Sequence, residues 1–370
     1  MNISGEFGAQ KKGANKARVE VNQTKMKNVK KAFSFSILLA ITFLLAAGAS
    51  SCLNTQKSGE RGPADPTKKQ RDTGKNKNSS ALAFDYEPAT DDPFNDPNGP
   101  FFHKVYKATS NDGLNFIREN QVLLDKASVP DAVRTKEGRI FVYAVDGAKR
   151  SKTGIMVAIS DDNGKTFRQG SIRIIGKDEI EPLADPQAIL TDDKIRLFYV
   201  VFPKTKPPLD ASGRPIPTGD KIKIKSALSE DGVNFQEEPG SRYETTEIVT
   251  DPDVIKIGAK WFMYLSLGSR LIATSSSDGK SFKTEKTIRE NGSVSKTVPI
   301  ENQKYRQFFC KGGISSAVTT DGLNWVDDSG VRLKVEQGEI VCDPSPVRIG
   351  EEWIMFFKSA VPANPKGPPQ

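Results

Sequence analysis

ATSNDGLNF (108–116), AISDDNGKTF (158–167), ALSEDGVNF (227–235), ATSSSDGKSF (273–282) and AVTTDGLNW (317–325) are five versions of one phrase. In each, an alternating apolar run enters an Asp-Gly or Asn-Gly turn and an aromatic residue opens the next run. Glycine supplies the positive φ such a turn needs, and the aspartate side chain binds the turn backbone. The phrase therefore predicts a β-hairpin, repeated five times, with the Asp-Gly turns as structural punctuation.

A second motif lies between the hairpins: VPDAVRTKEGRIFVYAVD (129–146), DPQAILTDDKIRLFYVV (185–201), DPDVIKIGAKWFMYLS (251–266), TVPIENQKYRQFFCK (297–311) and DPSPVRIGEEWIMFFK (343–358). Each reads as two strands, an inner one opened by X-Pro and a second rich in aromatic residues. The last pair has no hairpin after it, and the first hairpin has no pair before it. Joining these two halves gives five four-stranded units, the way a propeller closes its ring. The expected fold is all-β, a five-bladed β-propeller over residues 93–362, closed by C-terminal strands pairing with the N-terminal hairpin, with 363–370 as a tail. The starts of the inner strands and the connections from second to third strand then share one face, and the Asp-Gly turns lie on the other.

Outside the ring the composition changes. The chain has 370 residues, 36% hydrophobic and 27% charged, with a formal charge of +8. Residues 1–80 hold 15 Lys and Arg against 5 Asp and Glu, whereas 81–370 hold 39 against 41. The basic character thus belongs to the N-terminal segment, and the ring has no footprint for nucleic acid. Met26 opens a better start than Met1, which makes 1–25 a start extension. Lys27, Lys30 and Lys31 precede an apolar run (37–47) of signal-peptide length, and the run ends in Ala49-Ser50-Ser51-Cys52. That end resembles the lipobox of bacterial lipoprotein precursors, with residues 26–51 removed and Cys52 acylated; an uncleaved single-pass anchor is the alternative. Either way the ring is exported to the cell envelope. Residues 52–92 carry few large apolar groups and read as a flexible tether.

The Asp-Pro openings at Asp185, Asp251 and Asp343, each followed by an aromatic second strand, resemble the five-bladed propeller glycosidases of glycoside hydrolase family 43 and its relatives. The resemblance covers nearly the whole ring and implies working carboxylates where inner strands begin, near the axis. By chain order it makes Asp131 the base, Asp185 the residue that tunes the acid, and Asp251 or Asp253 the acid. Asp343 and Glu181, in EPLADP, stand in support; the family's acid is a glutamate, and Glu181 is the nearest substitute. The expectation is one axial pocket on the face bearing the loop 203–220. The blade with Val298 and Ile300 around its proline would offer no carboxylate. SDDNGKTF also matches the sialidase Asp-box, but those rings have six blades and an arginine triad. NDPNG (95–99) resembles the family 32 nucleophile motif, yet it opens no inner strand.

Glycoside cleavage needs two carboxyl groups of unlike pKa, and mutual repulsion around a narrow axis can split them. The plain alternative for each aspartate is that it caps a strand entrance. Arg134 and Arg306, on inner strands, would orient a substrate or pair with the acids, and Lys149, Arg150 and Lys152 would meet an anionic sugar. Trp261 and Trp353 read as core. His103 is the single histidine, so no metal and no cofactor is expected. Cys310 and Cys342 fall on one face in neighbouring blades, which makes them a candidate disulfide pair, with two free thiols as the alternative. Two functions follow: an exported, membrane-anchored glycoside hydrolase acting on a glycan, or a non-catalytic carbohydrate-binding propeller, in either case a monomer. A plugged funnel would favour an envelope scaffold instead.

Overall fold

The computed structural model describes residues 82–175, 182–204, 218–336 and 338–362. Cys52, Glu181, the signal segment and most of the proline-rich loop (205–217) lie outside them. After a 3-10 turn at Pro100–Phe102, β1 (Lys104–Ser110) and β2 (Ile117–Asp125) form the first hairpin. Blade I is β3 (Ala127–Arg134), β4 (Ile140–Asp146), β5 (Ile155–Ser160) and β6 (Arg168–Ser171), followed by the short β7 (Arg173–Ile175). Blade II is β8 (Ala184–Thr191), β9 (Lys194–Val201), β10 (Ile222–Ser229) and β11 (Asn234–Glu237), with β12 (Tyr243–Thr245) against β10. Blade III is β13 (Thr250–Ile257), β14 (Lys260–Leu267), β15 (Arg270–Ser276) and β16 (Lys283–Arg289). Blade IV is β17 (Ser293–Pro299), β18 (Tyr305–Cys310), β19 (Ile314–Thr319) and β20 (Val326–Asp327).

Blade V closes the ring as expected. Its strand order is β2-β1-β22-β21, with β21 (Ile340–Ile349) and β22 (Glu352–Ala360) from the C-terminal end. β1 and β22 are antiparallel from Lys104 opposite Ser359 to Ser110 opposite Trp353. The protein is an all-β, five-bladed propeller. One unforeseen strand is β7, which runs parallel to the outer strand β11 of the next blade and covers its edge.

The Asp-Gly turns behave as punctuation. Asp112 Oδ1 accepts the backbone N–H groups of Leu114 and Asn115, and Gly113 N donates to Ser110 Oγ. Asp231 and Asp321 repeat this pattern. Each turn also presses on aromatic side chains, and in two blades on those of the preceding blade. Gly232 has φ +77°, and a Cβ there would meet the Phe141 ring at 2.2 Å. The Tyr143 hydroxyl donates to Gly232 O at 2.9 Å, as Tyr264 does to Gly322 O. Trp353 and Trp261 lie against Gly113 and Gly279 in the same way, so both tryptophans are packing residues. Between blades I and II the core joins Phe141, Tyr143, Leu197, Tyr199 and Phe235, all almost wholly buried.

Part of the expected tether is ordered structure. Residues 82–103 form a strap from the outer edge of blade I to the axis. Ser171 N donates to Ala83 O, Asp85 N and Tyr86 N to Arg150 O, and Ala89 N to Ala148 O. Few apolar side chains are needed because backbone bonds to the 147–154 connection hold the strap. Lys149 and Arg150 are spent here rather than displayed for an anionic sugar. The Arg150 guanidinium lies over Phe84 and donates to Asp146 Oδ1, Lys149 faces Phe94, and Lys152 N donates to Asp85 Oδ2. Gly147 makes the closest approach: a Cβ there would stand 2.2 Å from Pro100 O. Gly147→Ala should therefore push the strap away at a cost of about 1–3 kcal/mol. Chymotrypsin cleavage at Phe84, Tyr86 and Phe94 should rise about tenfold; an unchanged cleavage rate would mean the strap is not seated through this glycine.

Candidate active site

Every inner strand opens with a residue in the left-handed region followed by a bulge. The five are Val129 (φ 49°), Asp185 (49°), Asp251 (50°), Val294 (55°) and Asp343 (54°). In each blade the register against the second strand slips at that point. Such a φ is costly for a β-branched residue, yet valine adopts it twice, so it belongs to the ring entrance itself. It also corrects the reading of blade IV. The equivalent of Asp-Pro-X there is Val294-Ser295-Lys296, four residues before the Val298-Pro299-Ile300 that the sequence offered. The axial residue of that blade is therefore a lysine.

The bulge separates the expected single pocket into two layers. Two residues past the left-handed position stand Asp131, Gln187, Asp253, Lys296 and Ser345, and most of these reach sideways into another blade. Asp131 Oδ1 accepts Ala188 N at 2.9 Å, Asp253 Oδ1 accepts Thr297 N at 2.9 Å, and Ser345 Oγ accepts Ala132 N at 2.7 Å. Asp253 also accepts the Thr297 and Ser295 hydroxyls. The Lys296 ammonium spans to Asp131, 2.8 and 2.7 Å from its two oxygens, and donates to Ala188 O at 3.2 Å. Burial pushes the Asp131 carboxyl up to about 6 against the pull of Lys296. Asp131 and Asp253, expected as base and acid, are thus committed to joining blades.

The outer layer holds the other three aspartates. Asp251 N donates to Asp185 Oδ2 at 3.3 Å, and the Thr250 hydroxyl donates to Asp251 Oδ2 at 2.6 Å. Asp343 Oδ2 lies 2.6 Å from the Lys358 ammonium, which β22 contributes. Burial, then the charge of Asp251, raises Asp185 well above the carboxylate range. Burial, then the charge of Asp343, raises Asp251 from 3.8 to about 6. Lys358 is raised by Asp343, Asp251 and Asp185 against its own burial. The strap brings His103 close. Its Nε2 donates to Asn98 O, so Nδ1 accepts from the Ser128 hydroxyl. Burial, then Lys358, lowers it to about 3 and keeps it neutral.

Lys296, Lys358 and His103 were not singled out as site residues from sequence. Arg134 and Arg306 belong elsewhere. Both sit where the first strand of a blade turns into its second, on the face opposite the aspartates. Arg134 reaches Asn163 Oδ1 at 3.4 Å, and Arg306 pairs with Asp328 at 3.0 Å. Strand direction explains this. Arg134 ends the inner strand β3, whereas Arg306 lies not on an inner strand but at the start of the second strand β18, and both positions are at the end of the blade away from the ring entrance. A cleft lined by Thr135, Lys136, Arg139, Leu190 and Asp193 opens on that same far face, away from the aspartates. Cys310 and Cys342 are joined as a disulfide with Cα atoms 5.3 Å apart, linking β18 to β21 one residue before Asp343. Asp343 N points at Cys310 Sγ at 3.2 Å.

No protein-family model and no curated protein matches the sequence. Among solved structures the chain is similar to a thermostable family 43 glycoside hydrolase, at 13% identity and TM-score 0.45, covering 66% of this chain and 95% of that one. It is similar to a protein of unknown function from Dyadobacter fermentans at 14% identity and TM-score 0.49, covering 72% and 85%. It is also similar to a family 117 glycoside hydrolase from Zobellia galactanivorans at 12% identity and TM-score 0.41, covering 76% and 91%. At such identities a likeness concerns the fold, and chemistry has to be argued from the residues of this ring.

Proposed function

We propose that the chain is a glycoside hydrolase of the bacterial cell envelope, anchored to a membrane by a lipid on Cys52, with Asp185, Asp251 and Asp343 as its working carboxyl groups. One observation carries this reading: three blades deliver three carboxyl groups to one layer, and their surroundings differ. Two are held toward the protonated form by burial and mutual repulsion, while the third is ion-paired with Lys358. A protonated and an ionised carboxyl side by side are the acid and base that cleavage of a glycosidic bond requires. The Cys310–Cys342 bond supports export, since such bonds persist in oxidising compartments.

A binding protein is the second reading, favoured by the lysine that already occupies one of the three acids. The two separate on Asp251→Asn, tested in the full chain in detergent against a broad oligosaccharide panel. For a hydrolase, turnover should fall about 100-fold or more while affinity is retained. For a binder, the wild type retains a glycan without cutting it. A panel neither bound nor cleaved by the wild type overturns both.

A further inference from the structure

We infer that Lys358 is a positioning residue of the aspartate layer, whose ammonium fixes Asp343 as the ionised member and leaves the exchangeable proton on the Asp185 and Asp251 side. The assignment of Asp343 as the proton acceptor rests on the hydrolase reading above; the charge arrangement stands without it.

The geometry begins with strand pairing. β22 is the second strand of blade V and lies between β21 and β1, so Lys358 projects from a strand hydrogen-bonded on both sides. In register it faces Cys342 on β21 and Val105 on β1. Cys342 is bonded to Cys310 and directly precedes Asp343, so the disulfide and the β21–β22 ladder together fix the Asp343 backbone beside Lys358. The ammonium lies 2.6 Å from Asp343 Oδ2, with side-chain exposures of 16% and 3% for lysine and aspartate. An ion pair so sheltered from water is screened little by salt. The charged and titratable groups around it come from four other elements: Asp185 on β8, Asp251 on β13, Asp343 on β21 and His103 from the strap. His103 is neutral, hydrogen-bonded through both ring nitrogens, and adds no charge. One fixed cation thus faces three carboxyl groups. Full ionisation of all three would leave two uncompensated negative charges in a buried layer, which burial opposes. Contact decides which one holds the cation. Lys358 touches Asp343, whereas Asp185 Oδ2 accepts the Asp251 backbone N–H at 3.3 Å and Asp251 Oδ2 accepts the Thr250 hydroxyl at 2.6 Å. In a hydrolytic turnover the Asp185 and Asp251 side would give its proton to the leaving oxygen, and Asp343 would take one from water.

The protonation pattern is read by pH-difference infrared spectroscopy of the full chain carrying 13C-labelled aspartate, with no substrate present. Lys358→Met should gain one protonated aspartate at neutral pH, and Lys358→Arg should not. The gain should vanish when Lys358→Met is made in an Asp343→Asn background, which assigns it to Asp343. Asp343→Asn alone, nearly the same shape, should lower the Asp251 midpoint from about 6 by a unit or more, a tenfold shift in its protonation equilibrium. No added proton in Lys358→Met, or an unmoved Asp251 midpoint in Asp343→Asn, overturns the inference. The expected pattern in a protein that cleaves no glycan would sink the hydrolase reading and leave the role of Lys358 intact.

Discussion

A chain ending at Cys342 is expected to lose its cooperative thermal transition altogether. The truncation keeps both cysteines of the disulfide but removes seven of the ten residues of β21 and all of β22. Val347, Trp353, Ile354, Met355, Phe356 and Phe357, each at most 7% exposed, leave the core with it. Burial of such side chains contributes roughly 1.5–3 kcal/mol apiece. Six of them rival the whole net stability of a domain, about 5–15 kcal/mol. The loss does not stop at blade V. β1 would be left with a bare edge where β22 had paired, and blades I and IV would each face solvent on one side. Calorimetry decides the matter: a single sharp unfolding endotherm in the truncated chain would mean that four blades suffice.

The second large effect is expected at Lys296. Replacing it by methionine leaves the Asp131 carboxylate buried without its counter-ion, an arrangement that costs about 3–5 kcal/mol. In a ring of this size that lowers the melting temperature by roughly 6–20 °C. Asp131→Asn combined with Lys296→Met should regain most of the loss, because no charge then remains to be solvated. The penalty also has a pH signature. Asp131 is raised when folded, from 3.8 to about 6. A carboxyl so shifted contributes stability that is fully present below its unfolded-state value and is lost as pH rises through the folded one. The cost of Lys296→Met should accordingly be small near pH 4 and full at pH 8. Equal costs at both would show that the lysine acts by filling space.

The five Asp-Gly hairpins and the split blade were legible because turns restrict residue type by backbone conformation, and that restriction is visible in a single chain. The entrance of blade IV was hidden. Val294-Ser295-Lys296 takes the same left-handed geometry as its four counterparts without their proline, and the nearby Val298-Pro299-Ile300 imitated them. Position in the sequence placed Asp131 and Asp253 beside Asp185, Asp251 and Asp343, since all lie within two residues of a proline. What separates them is the positive φ, which resets the alternation of the strand and turns one set sideways into the neighbouring blades. No residue pattern announces that reversal. Lys358 was missed for a related reason, as a lone cation closing an aromatic run reads as the solvated end of a strand. The strap was missed because backbone hydrogen bonds, which any sequence can make, hold it as much as side chains do.

The pairing of Lys104 with Ser359 also sets an order of events. Contacts between segments so far apart along the chain carry the largest closure entropy and form late. Blades I to IV are each built from one continuous stretch and can assemble as their residues become available, but blade V has to wait for β22. Until then β1 and β2 are a hairpin without a sheet, and the layer that needs Asp343 and Lys358 does not exist. The aspartates of β8 and β13 therefore meet their third partner only at the moment the circle shuts, which makes any chemistry at this axis a property of the finished ring and never of an intermediate.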